Sequence, residues 1–309
     1  MNDLMYQNLT LYLNEQLQKA DLNFDVLFNE IKSLYSIDAM PFSVDYILKT
    51  QTNSAILDSL IRYTIKNINK ENLPSLIDFV VKNLSDSNSI NLKVLIIKSF
   101  PKYKDPSVVQ ALLFCLNDKN SNYKIKLASA DALGKIGDKN AFESLGKILT
   151  DEKEESAYVK ESAATALGML GDDRAIEVFS SIMDTKQIFK DKFSFLKEKI
   201  MEAVGKFDIS KNKKALELIK KSLYDPCPNV RISAIETLME SEIKNSYEMI
   251  FDVFNLDSDL EVKKNALVAL FNISCDIKVL EDVIRGEYPE ELKNFAIETI
   301  KEIEANEDE

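Results

Sequence analysis

SADALGKIGD (Ser129–Asp138) and AATALGMLGD (Ala163–Asp172) decide the fold of this chain. Setting Leu133 against Leu167 brings Ala132 onto Ala166, Gly134 onto Gly168, Gly137 onto Gly171 and Asp138 onto Asp172, an offset of 167 − 133 = 34 residues. A fixed offset in that range marks a repeat architecture, in which each unit buries its apolar face only against a neighbour.

The same pattern extends in both directions from this stretch. Each unit reads as a helix, a turn carrying Asp, and a second helix with an apolar-x-x-x-small-x-x-x-apolar core. The last core residues of the second helices are Ile65, Phe100, Leu133, Leu167, Val204, Leu238, Leu270 and Ile300, separated by 35, 33, 34, 37, 34, 32 and 30 residues. Residues 3–19 and 23–36 read as an N-terminal helical hairpin, and Asp38–Thr50 with Ser54–Ile68 as the next pair, which makes about nine helix pairs.

Local signals fit this placement. Asp105-Pro106 sets a capping side chain before a proline at the first helical position. Gly137 and Gly171 fall where a helix must end through a left-handed residue. Pro226 and Pro228 bracket a turn, and the longest turn is expected around Thr185–Lys190. The expected fold is an all-α stack of antiparallel helix pairs in one domain over 1–309. Within it, 1–37 is a capping hairpin, 38–301 the repeats, and 302–309 an acidic tail expected to fray.

Composition narrows the function. The chain has 309 residues, 45% hydrophobic and 29% charged, with only 7 Gly and 7 Pro, enough for a core and too few turn formers for an all-β fold. Its formal net charge of −12 argues against nucleic-acid binding, which depends on Lys and Arg neutralising phosphates. No run is long and apolar enough for a membrane span, and no signal peptide is read. Cys115, Cys227 and Cys275 are far apart, odd in number and without a CxxC, as expected of buried thiols in a cytoplasmic protein. The chain has no His and no Trp, so every His-dependent catalytic triad and His-containing metal site is excluded.

SAYVKESAATALGMLGDDRAIEVFSSIM (Ser156–Met183) and NVRISAIETLMES (Asn229–Ser241) resemble HEAT repeats. The nearer likeness is to the HEAT-like repeats of phycobilisome lyases, with their V-R-x-x-A-x-x-A-L-G-x-I-G-D pattern. It is strong over residues 121–184, good to about 274 and weak before 90. The resemblance implies a right-handed α-solenoid that binds proteins, with the second helix of each pair lining the concave side.

Two columns of residues follow from the register. The first holds Asp58, Lys93, Lys126, Lys160, Lys197, Arg231, Lys263 and Lys293. It reads either as a positive ladder along a groove or as a structural device in which each cation answers the Asp of its own turn (Asp86, Asp118, Asp151, Asp225, Asp257). Unpaired cations in a row would repel, which favours the structural reading. The second column, further along the same helices and away from the core, holds Tyr63, Lys98, Asp131, Thr165, Glu202, Glu236, Val268 and Glu298. With Glu161 and Glu198 it makes an acidic stripe, either a solvated face or a groove that steers a basic segment of a partner.

Tyr6, Tyr12, Phe24, Phe28, Tyr35, Phe42, Tyr46 and Tyr63 crowd the N-terminal quarter at helical spacing and are expected mostly in the core of the capping pairs, any exposed tyrosine forming a docking patch. Asp257-Ser258-Asp259 has too few ligands for a calcium loop, and Gly146-Lys147 lacks the upstream Gly of a phosphate loop. The leading expectation is therefore a monomeric, non-enzymatic scaffold without cofactor or metal, binding a basic protein partner. Two alternatives follow from the resemblance alone: a phycobilisome-lyase-like protein acting on bilin chromophores, and a HEAT-like DNA glycosylase, which the acidic face disfavours. HEAT-repeat hydroxylases that hold iron through His-Glu pairs are excluded by the missing His.

Overall fold

The computed structural model describes residues 3–35, 39–67, 72–82, 84–103, 105–151, 156–184, 194–241 and 243–307. Among them every regular element is helical and there is no strand. The chain divides into two compact units, Met1–Ser144 and Leu145–Glu309.

The first unit contains α1 (Asp3–Gln16), α2 (Phe24–Leu34), α3 (Ala39–Thr50), α4 (Ser54–Lys66), α5 (Leu73–Val81), α6 (Ile90–Ser99), α7 (Pro106–Asn117) and α8 (Tyr123–Ile136). Helices two apart in sequence pack side by side, α1 on α3 on α5 on α7 and α2 on α4 on α6 on α8, so two layers of helices share one core. Asn122 N–H donates to the Leu84 carbonyl at 3.1 Å, joining the turns of adjacent pairs. The boundary between the units falls inside α9 (Phe142–Thr150).

The second unit continues with α10 (Ala157–Leu170), α11 (Arg174–Met183), α12 (Ser194–Val204), α13 (Lys213–Ser222), α14 (Pro228–Glu240), α15 (Ser246–Leu256), α16 (Leu260–Ser274), α17 (Lys278–Arg285) and α18 (Glu290–Glu307). Here α10, α12, α14, α16 and α18 form one continuous layer, each packed on the next. Gly168 sets the closest approach, since a Cβ there would lie 2.9 Å from Cα, Cβ and O of Ala203 on α12.

The repeat register is borne out in the core. Phe100, Leu133, Leu167, Val204 and Leu238 are wholly buried and Leu270 nearly so, while Ile65 and Ile300 are half-buried. The helix ends follow the sequence signals. Asp105 accepts a hydrogen bond from Ser107 N–H at 2.9 Å beside Pro106, and Gly137 and Gly171 end α8 and α10 at φ of 74° and 59°. The backbone must turn left-handed at both positions, and glycine does so without steric cost. Cys275, at φ 52°, ends α16 in the same way. Helix α18 runs to Glu307, so most of the acidic end expected to fray is helical. The turn expected at Thr185–Lys190 lies outside the described residues.

The N-terminal aromatics knit α1–α4 together, as the spacing predicted. Tyr6 meets Phe42 at 4.6 Å between ring centroids, Phe28 meets Tyr63 at 4.8 Å, and Tyr12 meets Tyr35 at 6.0 Å. Phe24 and Phe28 are buried and the rest half-buried, so none of the eight forms an exposed patch.

Candidate interaction face

The cation column makes structural ties, wired in part as the sequence suggests: Asp86 acts on Lys93 and Asp257 on Lys263, each from the cation's own turn, whereas two cations reach further. Lys197 Nζ lies 2.7 Å from Asp225 Oδ2 with both side chains almost wholly buried, and Arg231 Nε lies 2.6 Å from Asp257 Oδ2. In both cases the Asp belongs to the turn of the following repeat. Backbone carbonyls at or just before the cation's own turn also take hydrogen bonds from it. Arg231 Nη1 donates to Asp225 O at 2.8 Å, Lys263 Nζ to the Phe254 and Asn255 carbonyls, and Lys93 Nζ to the Lys82 carbonyl. The cations therefore neutralise the carbonyl ends of the first helices as well as stitching repeats together. Burial lowers the pKa of Lys93 and of Lys263.

The acidic residues of the second unit lie on successive helices of one layer, and several sense one another. On α10 and α12, burial first and then the charge of Glu198 raise the Glu161 pKa, with Lys199 opposing. On α12 and α14, burial raises the Glu236 pKa, followed by the charges of Glu240 and Glu202. Lys199 Nζ is held by both carboxylate oxygens of Glu202 at 2.7 Å. The hydrogen bond that Lys264 on α16 donates to Glu261 raises its pKa, and the charges of Glu261, Glu291 and Glu298, the last two on α18, add to it. Thr165 returns its hydroxyl to the Glu161 carbonyl at 3.1 Å.

The remaining predicted site residues are in the first unit. Tyr63 on α4 is half-buried against Phe28, Lys98 on α6 is exposed, and Asp131 on α8 is half-buried. Sequence reasoning missed two features of the second unit. Glu240, one turn beyond Glu236, adds to the acidic cluster, and Tyr158 and Phe195 are exposed at 66% and 59% in the first turns of α10 and α12. A third column, two residues before each ladder cation, would have exposed the aromatics.

Other candidate chemistry proves structural. Asp259 caps α16 by accepting from Glu261 N–H at 2.9 Å, and Asp257 is the partner of Arg231. Gly146-Lys147 lies inside α9. A cleft of 380 Å³ between α3, α4, α5 and α6 is rimmed by Lys49–Asp45 and Lys82–Asp78, ion pairs within single helices at 2.7 and 2.6 Å. Lys93, which also lines it, donates to the Lys82 carbonyl. Among the described residues no group of three or more Asp, Glu or Cys could hold a metal ion, and no helix is long and apolar enough to cross a membrane.

Comparison with known proteins agrees with this architecture. The family of HEAT repeats matches residues 77–157 and 119–192. No curated protein matches the chain by sequence. Among solved structures, the complex of CpcE and CpcF of phycocyanin lyase from Nostoc sp. PCC7120 is similar at 17% identity and a TM-score of 0.41, over 53% of this chain and 99% of that one. Human deoxyhypusine hydroxylase in complex with glycerol is similar at 14% identity and a TM-score of 0.35, over 77% of this chain and 97% of that one. The match to HEAT repeats is thus confined to residues 77–192, within an all-helical chain whose helices pack in paired layers.

Proposed function

We propose that this chain acts without catalysis, as a scaffold that receives a basic segment of a protein partner on the exposed face of α10, α12, α14 and α18. One observation carries the reading: Glu161, Glu198, Glu202, Glu236, Glu240 and Glu298 stand on α10, α12, α14 and α18 of one continuous layer, and the charges of Glu240 and Glu202 act on Glu236. Like charges fixed on a rigid layer keep a negative potential that mobile side chains would relax, and such a field selects and speeds the approach of cations. Two buried ion pairs add rigidity, Lys197–Asp225 and Arg231–Asp257, which tie α12 and α14 each to the turn of the following repeat.

The test compares partner capture by the wild-type chain and by a variant with Glu202→Lys, Glu236→Lys and Glu298→Lys. All three residues are exposed, so the helical signal and melting temperature should stay close to wild type. A partner lost in the variant, and lost from wild type as salt is raised, supports the reading. A partner kept by the variant at low salt overturns it. An absorption spectrum of the captured material separates a colourless partner from a bilin protein.

A further inference from the structure

The first helices of the second unit differ sharply in charge. Helix α13 carries Lys213, Lys214, Lys220 and Lys221 against Glu217, a balance of 4 − 1 = +3, in a chain whose formal net charge is −12. The same sum is zero for α11 and α17 and −2 for α15. All five charged residues of α13 are exposed, while Ala215, Leu218, Ile219 and Ser222 are buried. The basic face is therefore a solvent surface that core packing does not explain.

The fold uses half of this face. Lys214 Nζ lies 2.6 Å from Glu177 Oε1 and Lys221 pairs with Asp184, two ties from α13 to α11 and its C-terminal end. Lys213 and Lys220 form a second row, seven residues apart and so on one side of the helix. Among the described residues neither makes an ion pair or a side-chain hydrogen bond. Lys213 also stands in the first turn, where the positive end of the helix macrodipole disfavours a cation. The second row serves neither the helix nor its contact with α11.

We propose that Lys213 and Lys220 are the centre of a docking surface for an acidic segment of a protein partner. Residues seven apart on a helix are separated by about 10 Å, at about 1.5 Å per residue. An extended segment matches that distance with Asp or Glu at every third residue, at about 3.3 Å each. A larger polyanion fits worse. The face is a single helix of 10 residues, and Glu177 on α11 with Glu248 and Asp252 on α15 belong to the first helices before and after it. A nucleic-acid duplex or an anionic membrane would spread its charge past α13 towards those carboxylates, within the roughly 8–10 Å over which charges still act at ordinary salt. Helix α13 is no part of the layer formed by α10, α12, α14, α16 and α18, so this surface does not rest on the acidic-face reading.

The test measures fluorescence anisotropy of two fluorescein-labelled peptides of equal composition at low salt, one with Glu at every third residue and one with the same Glu in a single block. Wild type should bind the spaced peptide more tightly. Lys213→Gln with Lys220→Gln should weaken that binding about tenfold, and Lys213→Arg with Lys220→Arg should keep it. Lys244→Gln with Lys278→Gln removes the same charge from exposed positions elsewhere in the second unit and should leave binding unchanged. All of these side chains are exposed, so melting temperatures should stay close to wild type. Glutamine variants that bind as wild type does, equal weakening by the control pair, or no preference for the spaced peptide each overturn the proposal. A DNA duplex or a phosphatidylserine vesicle bound more tightly through the same two lysines overturns the choice of partner.

Discussion

Arg231 on α14 grips Asp257, in the turn before α16, through two hydrogen bonds: Nε to Oδ2 at 2.6 Å and Nη2 to Oδ1 at 3.0 Å. Its remaining nitrogen donates backward to the carbonyls of Asp225 and Pro226. One side chain therefore locks the turn of its own repeat and that of the next. Arg231→Ala should cost about 3 kcal/mol, because Asp257 is left ionised and only 8% exposed without its partner. Asp257→Ala should cost a similar amount, and the double variant clearly less than the sum. Arg231→Lys should rescue only part of the loss, since an ammonium cannot reproduce the fork. Chemical denaturation of the four proteins checks this, and additive losses would show that the pair does not act as a unit.

Two helical glycines should respond in opposite directions to the same substitution. A Cβ at Gly168 would meet backbone and side-chain atoms of Ala203 at 2.9 Å, so Gly168→Ala must separate α10 from α12 and should cost about 1–3 kcal/mol. A Cβ at Gly146 on α9 meets nothing within 4 Å, and there alanine should add about 0.5–1 kcal/mol by restricting the unfolded chain. Melting curves decide it. Equal effects at the two sites would mean that helix propensity, rather than close packing, sets the sign.

The sequence made the helices, their register and their ends readable because each rests on short-range chemistry. Leu133 and Leu167 are buried since their spacing leaves them no other face, and Gly137 and Gly171 end helices because the backbone must turn left-handed there. The partner of each ladder cation was not readable. Lys197 and Arg231 pair with an Asp 28 and 26 residues further along the chain, in the turn of the next repeat, and that choice depends on how neighbouring helices approach. The acidic stripe was legible as a column, whereas the burial that raises the Glu161 pKa was not, because it depends on how α10 meets its neighbours, which no one-dimensional pattern records.

The acidic face should leave a mark on the pH dependence of stability. Glu161 and Glu236 have folded pKa values raised above the ordinary carboxylate value, so the folded state holds their protons more firmly than the unfolded chain does. Their stabilising contribution is full below the ordinary value and is lost as pH rises through the raised one. Glu161→Gln with Glu236→Gln should therefore melt higher than wild type at about pH 7, and the gap should close as pH falls to about 4. A gap that does not change with pH would mean that these carboxylates are no more strained in the fold than in the unfolded chain.

The three thiols should differ sharply in reactivity. Cys115 on α7 is wholly inaccessible, and burial pushes its pKa up to about 12 against the opposing charge of Lys93, so the thiolate is scarce and unreachable at neutral pH. Cys275 is exposed at the left-handed end of α16, and Cys227 is half-buried before Pro228. A disulfide-exchange reagent at about pH 8 should label Cys275 readily and Cys227 more slowly, and leave Cys115 untouched until denaturant is added. Because Cys115 packs inside the first unit, its protection reports opening of that unit, while the other two report on the second. Labelling of Cys115 in native buffer at the rate of Cys275 would show that the core between α5, α7 and α8 opens far more often than its packing implies.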